Sequence, residues 1–221
     1  MRGFDIKQIR MRSFRISGLT AKWGIGGRPS IWDSNLVAWW DARTFPDGAL
    51  ATIPNTATMR DKAPDLTVTG ATMASGTLQF DGVDDKAETE AFLFPERFTV
   101  FWDVDWLGDK NKSVGIVHPS DLYLYNYAAY ESVGCYIKSY SGGALIPKAS
   151  VGLSTNGTIY ARDGSFTPSS GTVGTPTGTA PLTIANRYTS FTQMGFRQLL
   201  IFNKALSQAE VNDVLRVMFP A

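Results

Sequence analysis

The run Arg97-Phe98-Thr99-Val100-Phe101-Trp102-Asp103-Val104-Asp105-Trp106 constrains this chain more than any other feature. A period of two puts Phe98, Val100, Trp102, Val104 and Trp106 on one side of an extended segment. Thr99, Phe101, Asp103 and Asp105 fall on the other. Five large apolar side chains in that pattern need a second sheet to pack against. Shorter segments of the same kind follow one another, separated by Gly, Pro, Asn and Asp: 36–40, 66–69, 77–81, 86–92, 113–117, 121–127, 132–140, 144–147, 157–161, 181–187 and 195–202. Many short strands joined by turns predict an all-β antiparallel sandwich. The body is expected to open at Ile31-Trp32-Asp33. Residues 43–65 read as polar turns and 164–180 as a solvated loop.

One helix is predicted, at the C-terminus. Ser207-Gln208-Ala209-Glu210 is a capping box, and Val211, Val214, Leu215 and Met218 follow as an apolar stripe that Pro220 ends. At 221 residues the chain is long enough to bury a large core without disulfides. Its single cysteine, Cys135, reads as a small buried side chain.

Charge divides the chain. Residues 1–30 hold seven basic side chains and one acid, a net of +6, while the rest carries −5. Within this arm, Ile9 and Met11 alternate with Arg10 and Arg12, and Phe14 and Ile16 with Arg15. An isolated strand of that composition needs a sheet edge or a partner. The boundary is placed near residue 30. No secretory signal is read at the N-terminus, no segment approaches the length of a bilayer span, and the arm lacks the aromatic platform of a nucleic-acid-binding sheet.

Three motifs resemble the concanavalin A-like or laminin-G-like family: Leu36-Val37-Ala38-Trp39-Trp40-Asp41, Phe80-Asp81-Gly82-Val83-Asp84-Asp85, and Ile201-Phe202-Asn203-Lys204-Ala205-Leu206-Ser207 with Glu210. The resemblance spans residues 31–219 and implies a two-sheet jelly roll with one short C-terminal helix. It also implies a platform that holds something, with chemistry in only some branches. Some relatives carry calcium near the middle hairpin, where Asp81, Asp84 and Asp85 offer three hard oxygen donors. Asp clusters also arise because Asp caps turns.

Glycoside hydrolases on such a sandwich set carboxylates along one face of a strand. Two pairs have the parity. Glu88 and Glu90 share a phase that Phe92 and Phe94 continue. Asp103 and Asp105 lie between Trp102 and Trp106, with no third acid following in the strand. Neither pair completes the pattern, and no catalytic residue is assigned. The exposed polar face of a strand is the alternative for 103 and 105. His118, the only histidine, precedes Pro119 in an expected turn without a second ligand for zinc.

Tyr123, Tyr125 and Tyr127 share one face of a strand and suit stacking on a sugar. Either they line a recognition surface or they pack the second layer, in which case Asn126 supplies the contact. Two functions follow. One is a non-enzymatic attachment protein, such as a phage head-fibre, decoration or tail component, found on the virion and oligomeric. Arg10, Arg12, Phe14, Arg15 and Ile16 would then hold partner proteins while the jelly roll meets a surface glycan. The other is a secreted bacterial carbohydrate-binding or carbohydrate-cleaving module.

Overall fold

A computed structural model describes residues 31–107, 115–118, 122–127, 132–137, 144–147, 150–168, 178–187 and 190–220. The arm, residues 1–30, lies outside them. The strands are β1 (Leu36–Asp41), β2 (Gly48–Ala49), β3 (Thr52–Ile53), β4 (Leu66–Thr69), β5 (Thr72–Ala74), β6 (Thr77–Asp81), β7 (Lys86–Leu93), β8 (Thr99–Trp106), β9 (Ile116–His118) and β10 (Leu122–Tyr127). They continue with β11 (Ser132–Ile137), β12 (Ala144–Pro147), β13 (Ser150–Ser154), β14 (Thr158–Ala161), β15 (Phe166–Pro168), β16 (Thr179–Ile184), β17 (Asn186–Arg187), β18 (Ser190–Phe191) and β19 (Gln193–Phe202). Two helices flank them, α1 (Ile31–Asn35) and α2 (Gln208–Met218).

Among the described residues the strands form two large antiparallel sheets, one of nine strands and one of eight, and β17 and β18 pair only with each other. The first runs β15-β14-β13-β8-β19-β6-β5-β2, and β1 also pairs with β19. The second runs β12-β11-β10-β9-β16-β7-β4-β3. Strand β19 is the axis of the first sheet. Along one edge it pairs with β8, and its other edge serves β6 through residues 193–196 and β1 through 198–202. All-β architecture with a C-terminal helix is therefore what the sequence predicts.

The core lies between the sheets. Phe98, Val100 and Trp102 of the diagnostic run are fully buried there, with Val104 and Trp106 packed against them. The first half of β8 is buried on its other side too. Phe101 meets Tyr160 and Phe202 at ring-centroid distances of 5.8 and 6.1 Å. These rings, with Trp32, Trp39 and Leu200, take the buried stripe of α2: Val211, Val214, Leu215 and Met218. Burying each of those four side chains contributes roughly 1.5–3 kcal/mol. The capping box forms, Glu210 accepting from the Ser207 amide at 2.8 Å.

Several expectations are corrected. Ile31–Asn35 is a short helix, because Trp32 must turn under α2 into the aromatic cluster. Part of the expected loop at 164–180 is ordered, since Phe166–Pro168 pairs with β14 and Thr179 already belongs to β16. The polar stretch 43–65 holds two sheet-edge strands, β2 and β3. The expected strand 181–187 breaks at Ala185, whose φ of 63° sends the chain into the β17–β18 hairpin. In β7 the phase does not run on from Glu88 and Glu90 to Phe92 and Phe94. A register irregularity opposite Pro181/Thr183 breaks it, so the phenylalanines are buried while Glu90 is exposed. His118 ends β9 instead of sitting in a turn. It is fully buried between the Phe92 and Phe94 rings, its Nε2 3.1 Å from the Phe92 carbonyl.

Candidate functional site

Strand register divides the eight-stranded sheet into two rows. Leu124 pairs with Ile116, Ile116 with Ile184, Ile184 with Ala87 and Ala87 with Val68; all five are buried in the core. The neighbouring row therefore lies on the outer face. It runs Tyr136, Tyr123, Val117, Thr183, Glu88, Thr67, Thr52 across seven strands. At its centre Val117 and Thr183 are buried, and the Thr183 hydroxyl donates to the Asn186 carbonyl of the β17–β18 hairpin at 2.8 Å. At its β3 end Thr52 and Thr67 are exposed, and Lys86 pairs with Glu88 at 3.1 Å.

Positions 123, 125 and 127 belong to the outer side of this alternation, and position 126 to the side of Leu124. Tyr125 pairs with Gly134 and Tyr127 with Ser132. The tyrosine and Asn126 side chains lie outside the described residues. So does that of Cys135, whose position pairs with core Leu124.

The β6–β7 turn brings Asp81, Asp84 and Asp85 together, with one carboxylate oxygen from each lying within 4.8 Å of the others. Gly82, at φ 81°, makes this turn: a Cβ there would stand 2.8 Å from the Gln193 amide nitrogen. Asp81 accepts from the Val83 amide at 2.7 Å, and the buried Asp85 accepts from the Asp81 amide at 2.9 Å. Burial raises the Asp85 carboxyl above its ordinary range, and the charges of Asp81 and Asp84 add to the rise. Like-charged oxygens gathered this closely, each acid with one oxygen not committed to these amides, fit a hard cation such as calcium. The rest of its shell would have to come from carbonyls or water.

Of the carboxylate pair, only Asp103 departs from the expected exposed strand face, since the Asp105 side chain keeps 47% of its surface exposed. Asp103 is buried, and Arg197 donates to it at 2.9 Å and to both Asp105 oxygens at 2.6 and 2.8 Å. That guanidinium holds the Asp105 carboxyl below its usual range. A second guanidinium, on Arg43, grips both Asp41 oxygens at 2.9 and 2.8 Å, the Gln198 side chain at 2.9 Å and the Met218 carbonyl at 2.8 Å. It thus ties the end of α2 to β1. Sequence reading missed Arg197. It sits where β19 slips register between Phe196 and Gln198, so parity alone does not assign its side. Its one signal was a lone cation inside an apolar strand.

No family model and no curated protein sequence matches the chain. Solved structures do. The receptor-binding domain of botulinum neurotoxin D superposes with a TM-score of 0.61 at 13% identity, covering 86% of this chain and 54% of that one. Trypanosoma rangeli sialidase gives a TM-score of 0.58 at 15% identity, covering 83% and 33%. The binding domain of botulinum neurotoxin DC in complex with SialylT gives 0.60 at 15%, covering 86% and 53%. The likeness is one of fold. This chain spans between a third and about half of those structures. Among the described residues, no helix is long and apolar enough to cross a membrane.

Proposed function

We propose that the chain is a glycan-binding β-sandwich module, with its binding surface on the outer face of the eight-stranded sheet at β10 and β11. The observation that carries this is Leu124. It is fully buried in the inter-sheet core, so alternation assigns Tyr123, Tyr125 and Tyr127 to the outer side and favours recognition over core packing. Tyr136 extends the same row on β11. Tyrosine rings at successive outer positions suit the apolar face and hydroxyl rim of a sugar. Two solved relatives in fold were determined with sugars: the sialidase with sialic acid and the toxin domain with SialylT.

Binding rather than cleavage is the reading for the body. Glycoside hydrolysis by a carboxylate pair needs one acid to deliver a proton. Arg197 occupies Asp103 and Asp105 together, and Asp105 stays ionised to low pH. Calcium at Asp81, Asp84 and Asp85 belongs to the same reading, as a brace for the β6–β7 turn. The finer role, attachment to a particle such as a phage virion with residues 1–30 as fastener, comes from the sequence alone. Its test is loss of particle association when the arm is removed.

A glycan array probed with the full chain, and again with Tyr123→Ala/Tyr125→Ala, tests the module. The expected result is a glycan hit that the double variant weakens at least about tenfold with an unchanged melting temperature, as loss of stacking on two rings implies. No hit on a broad array, or undiminished binding by the variant, overturns it. Turnover of a bound glycan would overturn the non-catalytic reading. Millimolar calcium should raise the melting temperature of the full chain and leave Asp84→Asn unmoved.

A further inference from the structure

The outer face of the nine-stranded sheet has two unlike halves. One is the aromatic bed under α2 and α1. The other begins where α2 ends, at Gln198, and continues to the β6–β7 turn. Its cross-strand row is Asp105, Gly195, Gln79, Thr72 and Ala49, with no large apolar side chain. Asp41, Asp81, Asp103 and Asp105 stand on this half, and Asp84 and Asp85 lie just beyond in the turn. Arg43 and Arg197 are the cations that ion pairs among the described residues place there. Six carboxylates against two guanidiniums leave a negative field, over a surface that another helix could not cover by apolar packing.

The complement lies in the chain itself. Residues 1–30 carry +6. The described chain begins at Ile31 in α1, which packs on the aromatic half of this same face. Arg10, Arg12 and Arg15 precede Ile31 by some twenty residues, and a chain extends about 3.3–3.6 Å per residue. The ten residues of β19 measure only about 33 Å, so the reach is ample. A tether of this length holds the arm near the face at an effective concentration of about millimolar.

We propose that the N-terminal arm docks through Arg10, Arg12 and Arg15 on the acidic half of its own nine-stranded sheet. The occupant is the same chain's arm, because the tether starts on that face and the charges match. Exchange of arms between copies would repeat the contact in trans and link subunits.

Zero-length carbodiimide coupling on the full chain tests this, read by mass spectrometry on a mixture of light and isotope-labelled protein. The arm's amines are the N-terminus, Lys7 and Lys22. Lys204 and Glu210, 2.7 Å apart, are the internal control. Expected are links from arm amines to Asp81, Asp84 or Asp105 within one chain. They should fall at least about threefold in half-molar salt, which screens exposed charges, and equally in Asp81→Asn/Asp84→Asn. Arm links that are absent while the control link forms, that run only between copies, or that go to carboxylates away from this face such as Asp61 or Glu90, overturn the proposal.

Discussion

The two sheets bury similar inner faces and expose different outer ones. Outside the nine-stranded sheet, Phe101, Leu200 and Phe202 are sealed by α2, and the polar remainder is tied down by Arg43 and Arg197. Outside the eight-stranded sheet, the described residues of the outer row are a valine and threonines with one glutamate, and no described helix covers them. A surface already sealed by apolar packing serves stability. On the second face the exposed Thr52 and Thr67 at the β3 end have hydrogen bonds to offer a ligand, while Val117 and Thr183 at its centre are buried. The contrast separates a face that α2 seals by apolar packing from one that no described helix covers.

Phe202→Ala should show the largest effect. It removes a fully buried ring from the cluster beneath α2, and such truncations cost about 3–5 kcal/mol. Thr67→Ala, exposed on the opposite sheet, should stay within about 0.5 kcal/mol. Chemical denaturation of both would break the comparison if the two costs were alike.

Arg197→Met comes next. It leaves the buried Asp103 without its cation, at a cost of about 2–4 kcal/mol at neutral pH for a partly buried pair. The pH dependence has a definite sign. The Asp105 carboxyl is depressed by Arg197, so its contribution is present above the ordinary carboxylate pKa and lost as pH falls through the lowered value. The gap between wild type and variant should therefore narrow below about pH 4. A gap that is constant from pH 7 to 2.5 would show that the pair contributes nothing electrostatic.

Ser207→Ala removes the α2 cap and should cost about 1 kcal/mol, with Ser207→Asp restoring most of it. Full stability of the alanine variant would mean that α2 is held by its apolar stripe alone.

Asp85→Asn should give the smallest change, and of opposite sign. A raised carboxyl contributes stability that is complete below its unfolded pKa and lost as pH rises through the folded one. The variant should be slightly more stable than wild type at pH 7 in a chelator and no more stable at pH 3. Destabilisation at both pH values would assign Asp85 its amide hydrogen bond as the dominant role.

Much of the framework was legible locally. Period-two runs located β4, β6, β7, β8 and β19, because one buried face forces alternation. The Ser207–Glu210 box located α2, because capping is a contact between residues three apart. Asp81-Gly82 located a tight turn, because few residues adopt positive φ. What the alternation left open was the side. Tyr123 and Asn126 were equal candidates, because alternation alone does not say which side of β10 meets the core. Arg197 was invisible as a partner because a bulge decides its direction, and its acids lie 92 and 94 residues away in the chain. His118 read as a turn residue from the proline after it, whereas packing between Phe92 and Phe94 made it the end of a strand.

By itself, then, the sequence determined the layers, the terminal helix and the uneven distribution of charge, since these follow from side-chain period, capping and composition over a few neighbouring residues. Only the tertiary structure decided which outer face α2 seals, and that the Asp103–Asp105 pair is held by a guanidinium. Those outcomes depend on register between strands far apart in the chain, and register is settled when two whole faces bury each other.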